Sequence, residues 1–310
     1  MRRIPVIVAV TALAAAGLVG CSSAAPQASC DRPTASPSTF DLIDVSGPFD
    51  SAPDVEVRTP FHVDATASSD VEVGDGPRIT SDDQIVMLDL TLISGETGEP
   101  LVATSYTGDT AEGLTLTQGE QTFPGLGDAL ECATEGSRVA VALAPDSIAE
   151  AAVQGLGLEE GESAIAIVDV RKVYLSKADG VDQFSDARGL PTVVRAPNGR
   201  PGIIVPDSAA PTEPVTQVLK KGDGDEVTDS ESLLIHFTSV EWDDPAGTVQ
   251  STWDTEPLRQ TFDALPPVIA DALAGQPVGS QILVVQPAAE DADAQPSPAL
   301  VYVIDILGVG

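Results

Sequence analysis

EGSRVAVALAP at residues 135–145 and VGSQILVVQPA at residues 278–288 share one form, a glycine–serine pair followed by a run of β-branched and aliphatic side chains. A turn residue feeding such a run predicts a strand entered through a tight turn. The form occurs twice, and three more echoes flank it. PDVEVRTP (53–60) is answered by PTVVRAP (191–197), GDGPRIT (74–80) by GDGDEVT (222–228), and IVDV (167–170) by VIDI (303–306). All four keep their order. The separation shrinks along the chain: Gly74 and Gly222 are 148 residues apart, Glu135 and Val278 143, and Ile167 and Val303 136. An ordered set of echoes means a duplicated unit, and the shrinking means that the second copy has shorter connections.

Each copy has the same coarse pattern. Residues 85–93 and 233–240 are apolar β-rich runs, as are 138–144 and 281–286, and 164–173 and 299–307. Between them, residues 124–130 and 267–274 each suit one short amphipathic helix with proline in its first turn. Several strands and one helix predict the α+β class: two tandem domains, each an antiparallel sheet wrapped around one short helix. The expected boundaries are a leader at 1–20, a flexible tether rich in Ser, Ala and Pro at 21–40, a first domain at 41–178, a connection with the leading strand of the second repeat at 179–216, and a second domain at 217–310.

The chain has 48 Asp and Glu against 15 Lys and Arg, a formal net charge of -33. Such a surface repels phosphate backbones, so nucleic acid is excluded as a partner. Arg2 and Arg3 precede an apolar stretch of small residues, and Leu18-Val19-Gly20-Cys21 follows. This resembles the lipobox of bacterial lipoproteins, which implies cleavage before Cys21, lipidation of its sulfur and an extracytoplasmic, membrane-anchored protein. In that oxidising setting Cys30 and Cys132 are an even pair and are expected to form a disulfide; the alternative is two buried or unpaired thiols.

The order GDG, β-run, short helix, Gly-Ser-β-run, β-end resembles the FKBP-type peptidyl-prolyl cis-trans isomerase domain, here in tandem behind a lipobox. The family's His-Tyr-Thr-Gly run is similar to His236-Phe237-Thr238-Ser239, its Phe-Asp-Ser-Ser landmark and following Trp to VQSTW (249–253), and its closing Leu-Val-Phe-Asp-Val-Glu-Leu-Leu to LVYVIDIL (300–307). The resemblance implies a proline site built from Phe237, Gln250, Trp253, Phe262, Leu265, Pro266 and Ile269. It implies proline-containing segments of exported proteins as partners. Both copies depart from the family pattern. Its floor tryptophan is Ile269 in the second copy and Leu126 in the first, and the loop that usually carries a tyrosine reads PAAEDADAQP (287–296).

Isomerisation needs no nucleophile or cofactor, because rotation about X-Pro breaks no covalent bond. None is expected here. His62 and His236 have no metal-ligand spacing, and residues 223–229 lack the glycine and distal glutamate of a calcium loop, so no metal is expected either. No Gly-x-Ser-x-Gly elbow, phosphate-binding glycine loop or Cys-x-x-Cys occurs. Two readings of function remain: an isomerase with whatever activity the second copy retains, and a non-catalytic holder of extended peptide.

Overall fold

The two halves of the chain fold into two sheets of one strand order. The structure, a computed structural model, describes residues 37–310 except 50, 82–83, 108–113, 185–187, 230–231, 248 and 290–296. The expected leader, Cys21, Cys30 and most of the 287–296 loop lie outside the described residues. Residues 31–310 belong to one compact unit.

The first repeat opens with a hairpin of β1 (Ile43–Ser46) and β2 (Asp54–Val57). Its sheet contains β3 (Ala67–Glu72), β4 (Val86–Ser94), β5 (Pro100–Ala103), β6 (Leu114–Thr115), β7 (Arg138–Leu143) and β8 (Ala164–Val173) in the order β3-β7-β8-β4-β5, with β6 also on β4. After β9 (Val181–Asp182), the second repeat opens with the hairpin β10 (Thr192–Arg195) and β11 (Pro201–Ile204). Its sheet contains β12 (Val215–Lys221), β13 (Ser232–Glu241), β14 (Val249–Ser251), β15 (Leu258–Thr261), β16 (Gln281–Gln286) and β17 (Leu300–Val309) in the order β9-β12-β16-β17-β13-β14, with β15 also on β13. Apart from β9, the two orders coincide, and every pairing is antiparallel.

The irregularities repeat as well. The β4–β8 register slips between Met87 and Leu88, and the β13–β17 register slips between Leu234 and Ile235. A second slip falls between Asp70 and Glu72 in β3 and between Val218 and Lys220 in β12. Bulges re-aim side chains and break the alternation, so shared bulges mark shared geometry.

The glycine–serine pair explains its own persistence. The Gly74 N–H donates to Ser137 Oγ at 2.9 Å, and the Gly222 N–H donates to Ser280 Oγ at 3.0 Å. A Cβ on Gly74 would collide with the Glu135 carbonyl, and one on Gly222 with the Val278 carbonyl. Gly136 and Gly279 hold the turn at φ +89° and +88°, a left-handed conformation that costs glycine least. Each GDG motif therefore lies flat on the turn ahead of β7 or β16.

Both faces of each sheet are covered. On one face of the first sheet, Leu88, Leu90, Val139, Val141 and Val168 pack against helix residues Leu116, Leu126 and Leu130. On the other face, Ile93, Ala140, Ala142, Ile165 and Ile167 pack against Val45, Val55 and Val57 of the opening hairpin. The second sheet has the same layers, with Ile269 and Leu273 on one face and Val193 and Ile203 on the other. This accounts for a run such as VMLDLTLIS in β4, where every residue is buried and no two-residue alternation is visible. Strands covered on both sides read as continuous apolar runs.

Three expectations need correction. The order of hairpin strands matches β2 with β11, so the echo of 53–60 in 191–197 joins non-equivalent strands. Helix α1 (Pro37–Phe40) lies within the stretch expected as tether, and Phe40 and Leu42 pack against the apolar cluster beneath the first hairpin. The first repeat has more than one short helix: α2 (Leu116–Thr122), α3 (Leu126–Leu130) and α4 (Glu150–Leu156). The second repeat has α5 (Pro267–Leu273), preceded by a 3-10 turn at Phe262–Ala264.

Candidate functional site

One face of the second sheet carries most of the residues the sequence singles out. In β13 the side chains alternate, so Ile235 and Phe237 face α5, while His236 faces away with its cross-strand partner Asp305. Phe237 lies opposite Ile304 in β17, and Tyr302, two residues away, shares that face. The turn from Phe262 through Pro266 bends the chain from β15 into α5, with the Leu265 N–H donating to the Phe262 carbonyl at 3.2 Å and the Ile269 N–H to the Pro266 carbonyl at 2.9 Å. Phe237, Phe262, Leu265, Ile269 and Tyr302 join one apolar cluster. Ile269 and Leu265 are 6% and 9% exposed and form its floor; Phe237, Phe262 and Tyr302 are half-buried and form its walls. Burial raises the Tyr302 phenol above its usual pKa, leaving it neutral and able to donate from the wall. Pro266 is exposed beside this dish. Gln250 is also exposed, and its register opposite Ser239 places it on the same face.

Trp253 is the exception. Expected as a wall, it stacks instead on His236, with ring centroids 4.3 Å apart and planes 20° apart, on the opposite face of β13. It lies two residues past the end of β14, where strand alternation no longer dictates which way a side chain points. Thr252 holds it there: its hydroxyl lies 2.9 Å from His236 Nδ1 and accepts the Phe237 N–H at 2.9 Å. Tyr302 is the residue the sequence reading missed, although the LVYVIDIL pattern already aligned it with an aromatic position.

Among the described residues, the first repeat has no matching group of half-buried aromatic side chains. Leu126, the residue at the floor position, is fully buried, with Phe123 and Leu130 on either side of it in the chain. Helix α2 covers it so closely that a Cβ on Gly119 would approach Leu126 Cδ2 at 2.7 Å. The connection from β7 to β8 is twenty residues, 144–163, against thirteen, 287–299, in the second repeat. The longer connection brings Ile148 and Leu158 into the core, and the Ala149 N–H donates to the Thr122 carbonyl at 2.9 Å, joining α4 to α2. The seven extra residues equal the drop in echo spacing from 143 to 136.

The polar centres behind the sheets also differ. In the first, Arg138 Nε and Nη2 donate to Asp169 at 2.6 and 2.7 Å, and its guanidinium also reaches the carbonyls of Gly47, Pro48 and Ser51 in the opening hairpin. In the second, Gln281 replaces the arginine and donates to Asp305 at 2.6 Å, while the Ala178 N–H donates to the other carboxylate oxygen at 2.9 Å. Without a guanidinium in contact, burial pushes the Asp305 carboxyl up to about 6.

Cys132 is disulfide-bonded, and the other two cysteines of the chain, Cys21 and Cys30, lie outside the described residues. Among the described residues no group of three or more His, Cys, Asp and Glu could hold a metal ion, and no helix is long and apolar enough to cross a membrane.

No family model matches the chain, and no curated protein matches it. Among solved structures it is similar to the three FKBP domains of wheat FKBP73, at 15% identity over 79% of this chain and 94% of that one, with a TM-score of 0.30. It is also similar to FkpA from Escherichia coli, at 20% identity over 40% of this chain and 53% of that one, TM-score 0.28. A third similar structure is a peptidyl-prolyl cis-trans isomerase from Pseudomonas syringae, at 20% identity over 31% of this chain and 75% of that one, TM-score 0.26. At these identities and TM-scores they set no residue's role.

Proposed function

We propose that the chain is a tandem FKBP-type protein in which the second repeat is a slow peptidyl-prolyl cis-trans isomerase and the first is a closed scaffold. The observation that carries this reading is the apolar cluster of half-buried Phe237, Phe262 and Tyr302 packed with Ile269 and Leu265, against the fully buried Leu126 in the first repeat. A planar X-Pro amide is resonance-stabilised and strongly dipolar, and the barrier to rotation is about 18–20 kcal/mol. Water stabilises the planar form. An apolar dish strips that water and binds the twisted form better, lowering the barrier without bond-making. The proline ring sits on Ile269 between Phe237 and Phe262, and the Gln250 carboxamide lies at the rim, where it can donate to the preceding carbonyl.

A non-catalytic peptide holder is the second reading, favoured by the aliphatic Ile269 where an aromatic floor would grip proline more firmly. An isomerisation assay on the full chain with a series of X-Pro peptides separates the two. A catalysed rate supports the first reading; saturable binding with no rate above buffer leaves only the second.

We further propose that Cys21 is lipidated and anchors the protein outside the cell, that Cys30 is the partner of Cys132, and that the clients are proline-containing segments of exported proteins. Metabolic labelling with a fatty acid, lost in Cys21→Ala, tests the anchor.

A further inference from the structure

A cavity of about 1040 Å³ lies between the two repeats and is lined by both. From the first repeat, α2 contributes Thr117 and Gln121, exposed and one turn apart; from the second, the β14–β15 loop contributes the half-buried Trp253 and the exposed Glu256; the connection between them contributes Ser176. In the second repeat the place of α2 in the element order is held by a 3-10 turn of three residues, so the wall that α2 supplies is particular to the first repeat. The cavity therefore needs both repeats in one chain.

Two of its charges are satisfied within the protein: Lys177 Nζ donates to the Pro197 carbonyl at 2.9 Å, and Asp254 accepts two bonds from Arg200 at 2.5 and 2.8 Å. Glu256 has no such partner among the described residues. Its carboxylate repels anions, which disfavours nucleotides and other phosphates. An apolar ligand would strip water from hydroxyls and carboxamides without replacing its hydrogen bonds. A polypeptide main chain has as many carbonyls as N–H groups, and a carboxylate has no hydrogen to give a carbonyl. Sugar hydroxyls fit better: each both donates and accepts, as the Thr117 and Ser176 hydroxyls do, and two neighbouring ones can donate to one carboxylate. Trp253 supplies the apolar part, since the C–H face of a sugar ring is drawn to the negative face of an aromatic ring. His236 stacks on the indole at 4.3 Å between centroids and fixes its orientation at the cavity wall. The volume is at the top of the range of about 300–1,000 Å³ usual for small-molecule sites, which suits a short chain of sugars over a single ring.

We infer that this cavity binds a short neutral oligosaccharide, a binding activity separate from the proposed isomerisation. Binding is read without catalysis, so either reading can fail while the other stands. The full chain is titrated with maltotetraose, cellotetraose and the N-acetylglucosamine tetramer, followed by calorimetry and by tryptophan emission. The chain has two tryptophans and Trp242 is 3% exposed, so a shift in emission reports Trp253. At least one of the sugars binds with a Kd of about 1 mM or tighter and shifts that emission. Gln121→Arg obstructs the cavity from the first repeat, and Glu256→Ala removes the carboxylate from the second; both positions are exposed, so the urea midpoint stays that of the parent. Each variant raises the Kd about tenfold. Neither heat nor shift with any of the sugars overturns the inference, as does an unchanged Kd in either variant. Tighter binding of a sugar phosphate, or of a reduced and alkylated polypeptide, contradicts the neutral oligosaccharide as occupant.

Discussion

Ile269 and Leu126 occupy matching positions of the two repeats, yet only Ile269 packs with aromatic side chains that stay half-buried, Phe237, Phe262 and Tyr302. Ile269→Trp supplies an aromatic floor and raises the isomerase rate several-fold in the full chain, at little cost in stability. Leu126→Trp must push Ile148, Leu158 and α2 aside, so it lowers stability by about 1–3 kcal/mol and adds no activity. Urea denaturation and the peptide assay read both. Asp305 gives a pH signature. Burial pushes its carboxyl from the ordinary aspartate value of 3.8 up to about 6, so the stability it contributes is present below pH 4 and is lost as pH rises through 6. Relative to Asp305→Asn, the parent loses roughly 3 kcal/mol between pH 4 and 7, two pKa units at about 1.4 kcal/mol each. A constant difference in denaturation midpoint across that range would contradict it. That Phe237 and Phe262 would lie together near Ile269 was legible from motif order, which put them at matching positions of the resembled family. The placement of Trp253 was not, since it lies past the end of its strand and a hydrogen bond from Thr252 decides its direction.

Among the elements, the buried Arg138–Asp169 pair fastens the first hairpin to its sheet. Arg138→Leu leaves Asp169 buried without a counter-charge and frees three hairpin carbonyls, a loss of about 3–5 kcal/mol. Amide exchange of residues 43–57 should speed up along with the fall in global stability; a loss under 1 kcal/mol would show that the pair is incidental. The strands could be read from sequence because apolar β-rich runs bounded by turn residues leave few alternatives. Helix α2 was not legible. LTQGEQT has a glycine at its centre and no amphipathic period, and its formation depends on a capping box in which Thr115 and Gln118 bond each other's backbone N–H, together with burial of Leu116 against the first core. The hairpin layers were hidden for a different reason. A sheet covered on both faces loses the alternation that would have shown which face was free.

At the scale of the whole molecule, the two repeats meet through side chains from the end of the first. Tyr174 is buried with Leu307, Leu234 and Met87, its ring lies where a Cβ on Gly308 would fall, and the Leu175 N–H donates to the Leu307 carbonyl at 3.0 Å. Arg259 of the second repeat lies 5.1 Å over the Tyr174 ring. The duplication was legible from the order of echoes, and the shrinking spacing showed that the second copy has shorter connections. What the longer connection of the first copy does depends on Ile148 and Leu158 entering the core, which no spacing reveals. The disulfide belongs to this scale too. Peptide mapping without reduction should join the segments containing Cys30 and Cys132; closing a loop of about 100 residues is worth up to about 4.7 kcal/mol in the chain-entropy estimate, so reduction lowers the unfolding midpoint. A Cys21–Cys132 peptide would overturn that pairing and the lipidation proposal with it.

Proline isomerisation is proposed at the apolar cluster of Phe237, Phe262, Tyr302 and Ile269 in the second repeat. It is tested most directly by kcat/KM for an X-Pro peptide in the full chain, comparing the parent with Phe237→Ala, Phe262→Ala and, as a first-repeat control, Leu126→Ala. The account predicts a loss of about tenfold or more for each phenylalanine variant, equivalent to about 1.4 kcal/mol of transition-state binding, and a rate for Leu126→Ala that follows only its folded fraction. A parent rate equal to buffer, or phenylalanine variants as active as the parent, would contradict it.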